Sequence, residues 1–207
     1  MEPIISSVKQ RHTHRYGFCL SWDNPDIMYV PLPKCASTWT ERVLMKSLGN
    51  AFKMNFHDSR LYRRHSIVVL RDPVEAWVSG IAEFLSRNCG HYQLDNKETI
   101  DLLFKQITFD EHTDSSVNFL SGLHIDRCTF FKLDQDYAIN LKHYIENYLG
   151  CSFVDSDVHN EKSATSEKFA SIIQDNLNNN ANYRKLLDKH FEKDQQLMDQ
   201  IKFYVAR

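Results

Sequence analysis

Hydrophobic residues along this chain fall into two patterns that alternate. Segments of strand length that are rich in apolar residues occur at Ile27–Val30, 52–56, 66–70 and 128–133. The run 66–70 is continuously apolar after its first residue, which is typical of a strand that is covered on both faces of a sheet. The segments between and after them carry apolar residues at helical spacing. This alternation predicts an α/β fold with a parallel sheet, helices on both of its faces and a helical C-terminal part.

Local signals predict where several helices begin. The stretch Asp72–Glu75 combines an Asp at the N-cap, a Pro at the first helical position and a Glu in the first turn. Another helix is predicted to begin near Ser37, where Thr38 and Glu41 have the spacing of a capping box. Further helical patterns cover 100–107, 115–120, 136–149, 167–177 and 183–205, and the asparagines 178–180 predict a break before the last of them.

Length and composition limit the class of protein. The 207 residues predict a single domain, with 1–24 as an N-terminal extension and 25–207 as the core. A net charge of -2 disfavours a nucleic-acid partner held by bulk electrostatics. We expect no membrane partner and a cytoplasmic location, because no apolar run approaches about 20 residues and the first residues lack a secretory core. The five cysteines form no CxxC pair, so neither a disulfide framework nor a metal site is expected.

Two strand–loop–helix junctions carry the candidate chemistry, PKCASTW at 33–39 and RDPVEAWVS at 71–79. Both would lie at the carboxyl ends of strands, where α/β sheets bind ligands. Amide groups at a helix N-terminus together with Lys34 would attract phosphate, and Arg71 can hold a phosphate through two parallel hydrogen bonds. The first junction is not a Walker A loop (GxxxxGK[ST]), because its lysine precedes the turn and it contains no glycine. A P-loop nucleotide kinase is therefore disfavoured.

The pair of junctions resembles the sulfotransferases that use 3′-phosphoadenosine-5′-phosphosulfate (PAPS). Their 5′-phosphosulfate loop reads approximately PKxGxTxW or PKxxxT, and their 3′-phosphate site reads RDPxxxxxS. Fainter likenesses to the carbohydrate branch lie at 110–112, 159–163 and 191–194 and at Tyr183. The resemblance implies a P-loop-like sheet fold over nearly all of residues 25–205. It also implies PAPS as the co-substrate, with no metal, and an acceptor hydroxyl or amine on a carbohydrate or small molecule.

The resemblance also assigns roles to individual residues. Lys34 would contact the sulfuryl oxygens and stabilise charge on the leaving phosphate. Arg71 and Ser79 would hold the 3′-phosphate, and Trp39 would lie near the adenine, although a tryptophan on a helix face commonly packs in the core instead. Many family members have glycine where this chain has Ala36, so a positive φ there would put the loop geometry in doubt. The remaining residues of the 5′-phosphosulfate loop would be Pro33, Cys35, Ser37 and Thr38.

Sulfuryl transfer also requires a group that accepts the acceptor's proton. His57 lies between the two junctions, where the family usually places its base, and is the first choice. Glu41 is the second choice, although its capping-box role is the simpler explanation. His65 precedes a central strand at its amino end and should face away from the site. A non-catalytic protein that binds the desulfated product, 3′-phosphoadenosine-5′-phosphate (PAP), stays open as an alternative function.

Overall fold

The computed structural model describes residues 18–55, 64–88, 94, 96–157 and 163–206. These residues form an α/β fold with one five-stranded sheet. The strands are β1 (Phe18–Trp22), β2 (Ile27–Val30), β3 (Phe52–Asn55), β4 (His65–Leu70) and β5 (Cys128–Lys132). The α-helices in the described ranges are α1 (Ser37–Leu48), α2 (Pro73–Arg87), α3 (Lys97–Gln106), α4 (Ser116–Leu120), α5 (Tyr137–His143), α6 (Ala164–Asn179), α7 (Ala181–His190) and α8 (Glu192–Gln200).

The sheet is mixed, which corrects the prediction of a wholly parallel one. Its strand order is β3-β1-β2-β4-β5. Strands β2, β4 and β5 are parallel, whereas β1 is antiparallel to both β2 and β3. Only four residues join β1 to β2, which suits an antiparallel hairpin, whereas the parallel pair β2 and β4 is connected through α1. The three parallel strands therefore end at one common edge.

Strand β1 lies inside the region that the sequence assigned to an N-terminal extension. Its Leu20 and Trp22 are almost fully buried, and the Trp22 indole donates a hydrogen bond of 3.1 Å to the carbonyl of Gly49. The Asn24-Pro25 dipeptide lies between β1 and β2, and Asn-Pro pairs favour turns. The folded unit thus includes Phe18–Trp22, and the sheet has a strand that the apolar runs alone did not indicate.

Both predicted helix starts at the junctions are confirmed, but one capping mechanism is wrong. The Asp72 carboxylate accepts hydrogen bonds from the amides of Val74 and Glu75, at 3.0 and 2.9 Å. Helix α1 instead has Ala36 at its N-cap, with no capping side chain. Because a left-handed turn at Ala36 starts the helix there, Thr38 already lies inside the first turn and the capping box does not form.

The C-terminal helix predicted over 183–205 is two helices. It breaks at Phe191 and ends at Gln200, after which Phe203 forms an isolated parallel bridge with Phe130 of β5. Shortly after the break, α8 buries the charged residue Asp194 on its apolar face. The predicted separation of α6 from α7 at Asn180 is confirmed, since the Asn180 side chain caps α7. The helix predicted over 136–149 consists of α5 and a π-helical turn, Tyr144–Tyr148.

Two hydrophobic clusters form the core. One surrounds the sheet and includes residues of α1, α4, α5 and α8, and the other joins α2, α3, α6 and α7. Helix α2 also touches the loop 110–113 by its backbone, because a Cβ atom on Gly80 would lie 1.9 Å from the His112 carbonyl oxygen. None of the helices in the described residues is long and apolar enough to cross a membrane.

Candidate functional site

The carboxyl ends of β2 and β4 bring the two motif-bearing junctions together. These strands are parallel neighbours, with Val30 paired to Val68, so the loop 31–36 and Arg71 emerge side by side. The buried thiol of Cys35 lies within reach of the Arg71 backbone amide. Burial raises the pKa of Cys35 to about 12, against the opposing effects of the Arg71 charge and amide. Cys35 is therefore a protonated packing residue at neutral pH and not a nucleophile.

The loop before α1 is tightly curled. Lys34 and Ala36 have φ values of 60° and 55°, which lie in the left-handed region. The Ala36 carbonyl accepts hydrogen bonds from the Thr40 amide and hydroxyl, at 3.0 and 2.9 Å. Ser37 and Thr38 are half-buried in the first turn. Ala36 thus has the positive φ that counts against the loop geometry implied by the resemblance, and its methyl group is strained there.

Lys34 forms an ion pair with Glu83, a residue that the sequence analysis did not single out. Glu83 lies on α2, one turn after Ser79, and its carboxylate also pairs with Arg87. Burial raises the pKa of Glu83, but the hydrogen bond and charge of Lys34, with His112 and Arg87, outweigh it and hold this pKa below its usual value. Glu83 is thus ionised at neutral pH. Its position in the motif helix was the only sequence signal for it.

The predicted 3′-phosphate residues have different surroundings. The Arg71 Nε atom donates to the Glu75 carboxylate at 3.2 Å, and Glu75 is largely exposed. Because the Glu75 side of this pair is exposed, the pair is weak and does not commit the guanidinium to Glu75 alone. Ser79 is 9% exposed on α2 and offers little surface to a ligand. The structure therefore places Arg71 at the sheet edge and Ser79 in the helix packing.

Trp39 contacts the protein core while staying partly exposed. Its ring packs edge-to-face on Tyr137, with centroids 5.7 Å apart and an interplanar angle of 67°. This contact matches the packing role that the sequence left open. Stacking of Trp39 on adenine stays a prediction.

The loop 110–113 lies beside Glu83 and carries a hydrogen-bonded Asp–His pair. The Asp110 carboxylate accepts a hydrogen bond of 2.9 Å from the His112 backbone amide. Its second oxygen lies 3.1 Å from the Nδ1 atom of the His112 ring. Burial raises the pKa of Asp110, but these interactions with His112 outweigh it and lower this pKa overall. Ligand atoms of Asp110, Glu111 and His112 lie within 4.8 Å of one another, close enough to hold a cation. The hydrogen bonds within the loop already account for that proximity.

The two candidates for the proton-accepting residue, His57 and Glu41, have different outcomes, and His65 was expected to face away from the site. His57, the first choice, lies outside the described residues. Glu41 is half-buried on α1; burial raises its pKa, opposed by Lys53 and Arg42, and the net shift is upward. The charged neighbours of Glu41 are thus Lys53 on β3 and Arg42 on its own helix. Lys34 pairs with Glu83 instead. His65 starts β4 at the opposite edge and bonds to Thr129 at 2.7 Å, which confirms that it faces away from the site.

Asp194, the last residue of the 191–194 likeness, is buried where α8 meets the start of α4. Its buried carboxylate accepts from the Ser115 hydroxyl at 2.5 Å and the Val117 amide at 3.2 Å, and so caps α4 from α8. Its charge also acts on Cys35. Burial raises the pKa of Asp194 more than these hydrogen bonds lower it. A charged residue on the apolar face of the predicted helix was the available signal.

No protein-family model, curated protein or solved structure matches this chain. Its function has to be inferred from the residues that meet at the sheet edge.

Proposed function

We propose that this chain is a PAPS-dependent sulfotransferase. The observation that carries the proposal is the meeting of the two motif-bearing junctions, with Cys35 of the first against the Arg71 backbone of the second. Each junction contributes one positively charged residue beside this contact. Lys34 directly precedes Cys35, and Arg71 directly follows β4. PAPS carries anionic groups on both its 5′ and 3′ ribose positions, so it needs two separate cationic groups of this kind.

In the proposed reaction an acceptor oxygen or nitrogen attacks the sulfur of PAPS in line with the leaving 5′-phosphate. A bond from the acceptor to sulfur forms, the bridging sulfur–oxygen bond breaks, and its electron pair stays on the phosphate of PAP. Lys34 stabilises the charge that develops there, which is electrostatic catalysis. The first turn of α1 begins three residues after Lys34, and its amide groups would favour an anion there through the helix dipole. The acceptor is a carbohydrate or another small molecule.

Titration calorimetry with PAP tests the two cationic residues. We expect Lys34→Ala and Arg71→Ala each to weaken PAP binding by about 10- to 100-fold, since each removes a charge-assisted contact with a phosphate. Arg184 provides a matched control, because it forms an exposed pair with Asp188 four residues later, as Arg71 does with Glu75. Arg184→Ala should leave PAP affinity unchanged, as should replacement of the exposed Lys185.

Unchanged PAP affinity in both site variants would contradict the proposal. Sulfate transfer from PAPS to a panel of sugars and phenols is measured beside binding. PAP binding without transfer to any acceptor would favour a non-catalytic nucleotide-binding protein. Tighter binding of ATP than of PAP would favour a nucleotide kinase instead.

A further inference from the structure

The amino group proposed to stabilise the leaving phosphate already has an anionic partner. Lys34 pairs with Glu83, and the two side chains are 20% and 26% exposed. Both therefore reach the solvent at the sheet edge. A sulfuryl group that contacts the Lys34 ammonium would lie within a few ångströms of the Glu83 carboxylate, because one contact separates the two side chains.

The charges around Glu83 come from three parts of the chain. Lys34 approaches from the loop before α1, Arg87 from the next turn of α2, and His112 from the loop 110–113. Lys34 is the only one of these that the proposed co-substrate would engage directly. When the phosphosulfate draws Lys34 away, Glu83 loses a hydrogen bond and an adjacent positive charge, both of which stabilise its ionised form. Its basicity therefore rises when the co-substrate binds.

We propose that Glu83 accepts the proton of the acceptor group, and that Lys34 masks it until PAPS binds. This inference rests on the proposed function. The proton passes from the acceptor hydroxyl to a Glu83 oxygen while the acceptor oxygen bonds to sulfur and the bridging sulfur–oxygen bond breaks. The electron pair of that bond leaves with PAP, and the protonated Glu83 then returns its proton to water.

Masking has a consequence for binding that a purely structural glutamate would not have. Glu83 competes with the co-substrate for Lys34, so its charge weakens the binding of PAP. Glu83→Gln removes both the proton acceptor and the competitor at once. Turnover and nucleotide affinity should therefore change in opposite directions.

The test combines steady-state sulfate transfer with PAP calorimetry on the full chain. We expect Glu83→Gln to lower kcat by about 10²- to 10⁴-fold, the usual contribution of general base catalysis. The same variant should bind PAP about 2- to 5-fold more tightly, the range expected for losing one partly exposed ion pair. Glu83→Asp keeps the carboxylate and should recover part of kcat. Asp188→Asn, in a remote pair with Arg184, should change neither quantity.

Two results would overturn the inference while leaving the proposed function intact. In one, the wild type transfers sulfate and Glu83→Gln retains its kcat. In the other, Glu83→Gln loses activity together with PAP affinity and Glu83→Asp restores neither, which would identify Glu83 as a residue that only shapes the loop. A wild type that transfers no sulfate would instead remove the proposed function, and the proton-accepting role with it.

Discussion

At the scale of single residues, Ala36 holds a backbone conformation that is unfavourable for a residue with a side chain. The residue has a φ of 55°, a conformation in which glycine is unstrained and alanine is not. The helix still begins at Ser37, so the surrounding structure tolerates the strain. The loop is thus curled at a position where alanine is strained and glycine would not be.

Ala36→Gly should therefore stabilise the protein by up to about 1 kcal/mol, because relief of left-handed strain exceeds the greater chain entropy of unfolded glycine. Ala76→Gly is the matched control, since Ala76 lies inside α2. It should destabilise the protein by about 0.5–1 kcal/mol. Denaturant unfolding of both variants measures the difference. A loss of stability in Ala36→Gly would mean that its backbone is not left-handed in solution.

The sequence placed Lys34 and Arg71 at the candidate site, but it did not indicate the partner of Lys34. Lys34 and Arg71 stand in short motifs whose order and spacing are visible in the chain. The pairing of Lys34 with Glu83 depends on how α2 packs beside the loop, across 49 residues of sequence. No local pattern encodes that approach. Asp194 was noted in the 191–194 likeness, but its contacts were not predicted, because its partners Ser115 and Val117 lie about 80 residues earlier in the chain.

At the scale of elements, α2 organises the site. Its start was predictable, because Asp72 and Pro73 combine two independent signals of a helix N-terminus. Its packing depends on Gly80, where the helix backbone meets the His112 carbonyl. A close backbone approach of this kind sets the position of the loop 110–113 relative to Glu83.

Gly80→Ala should therefore destabilise the protein by at least about 1–3 kcal/mol, since the new methyl group would overlap a backbone carbonyl that has little room to move. Gly→Ala within a helix is otherwise favourable, so the sign itself is informative. Thermal and denaturant unfolding give the free energy. A variant as stable as the wild type would show that α2 and the loop separate easily.

Helix ends were less predictable than helix starts. The apolar spacing over 183–205 continues through Phe191, although α7 ends at His190 and α8 begins at Glu192. Phe191 is buried and keeps the spacing of the predicted face. Because periodicity reports only which face is apolar, a helix break that preserves this face leaves no trace in the apolar spacing.

At the scale of the whole molecule, the fold class was predictable but the topology was not. Strands β2, β4 and β5 appear as apolar runs because both of their faces are covered. Strand β1 contains Ser21 amid its apolar residues and precedes a short turn, so it did not stand out. It nevertheless joins β3 to the rest of the sheet.

Because β1 lies in the interior of the sheet, a cavity there should reduce the stability of the whole domain. Leu20→Ala should cost about 2–5 kcal/mol, as Leu20 is 3% exposed. Leu102→Ala on α3 is the control, since that side chain is 51% exposed and should cost less than about 1 kcal/mol. Equal losses in the two variants, measured by denaturant unfolding, would contradict a central β1.

The last described residues also close one side of the sheet. Phe203 pairs with Phe130, and the Tyr204 amide donates to the Phe130 carbonyl at 2.8 Å. Unpaired edges of sheets recruit strands from other molecules and so promote aggregation. Residues 203–204 therefore occupy part of the outer edge of β5. Their presence should hinder the pairing of this edge with the sheet of another copy of the chain.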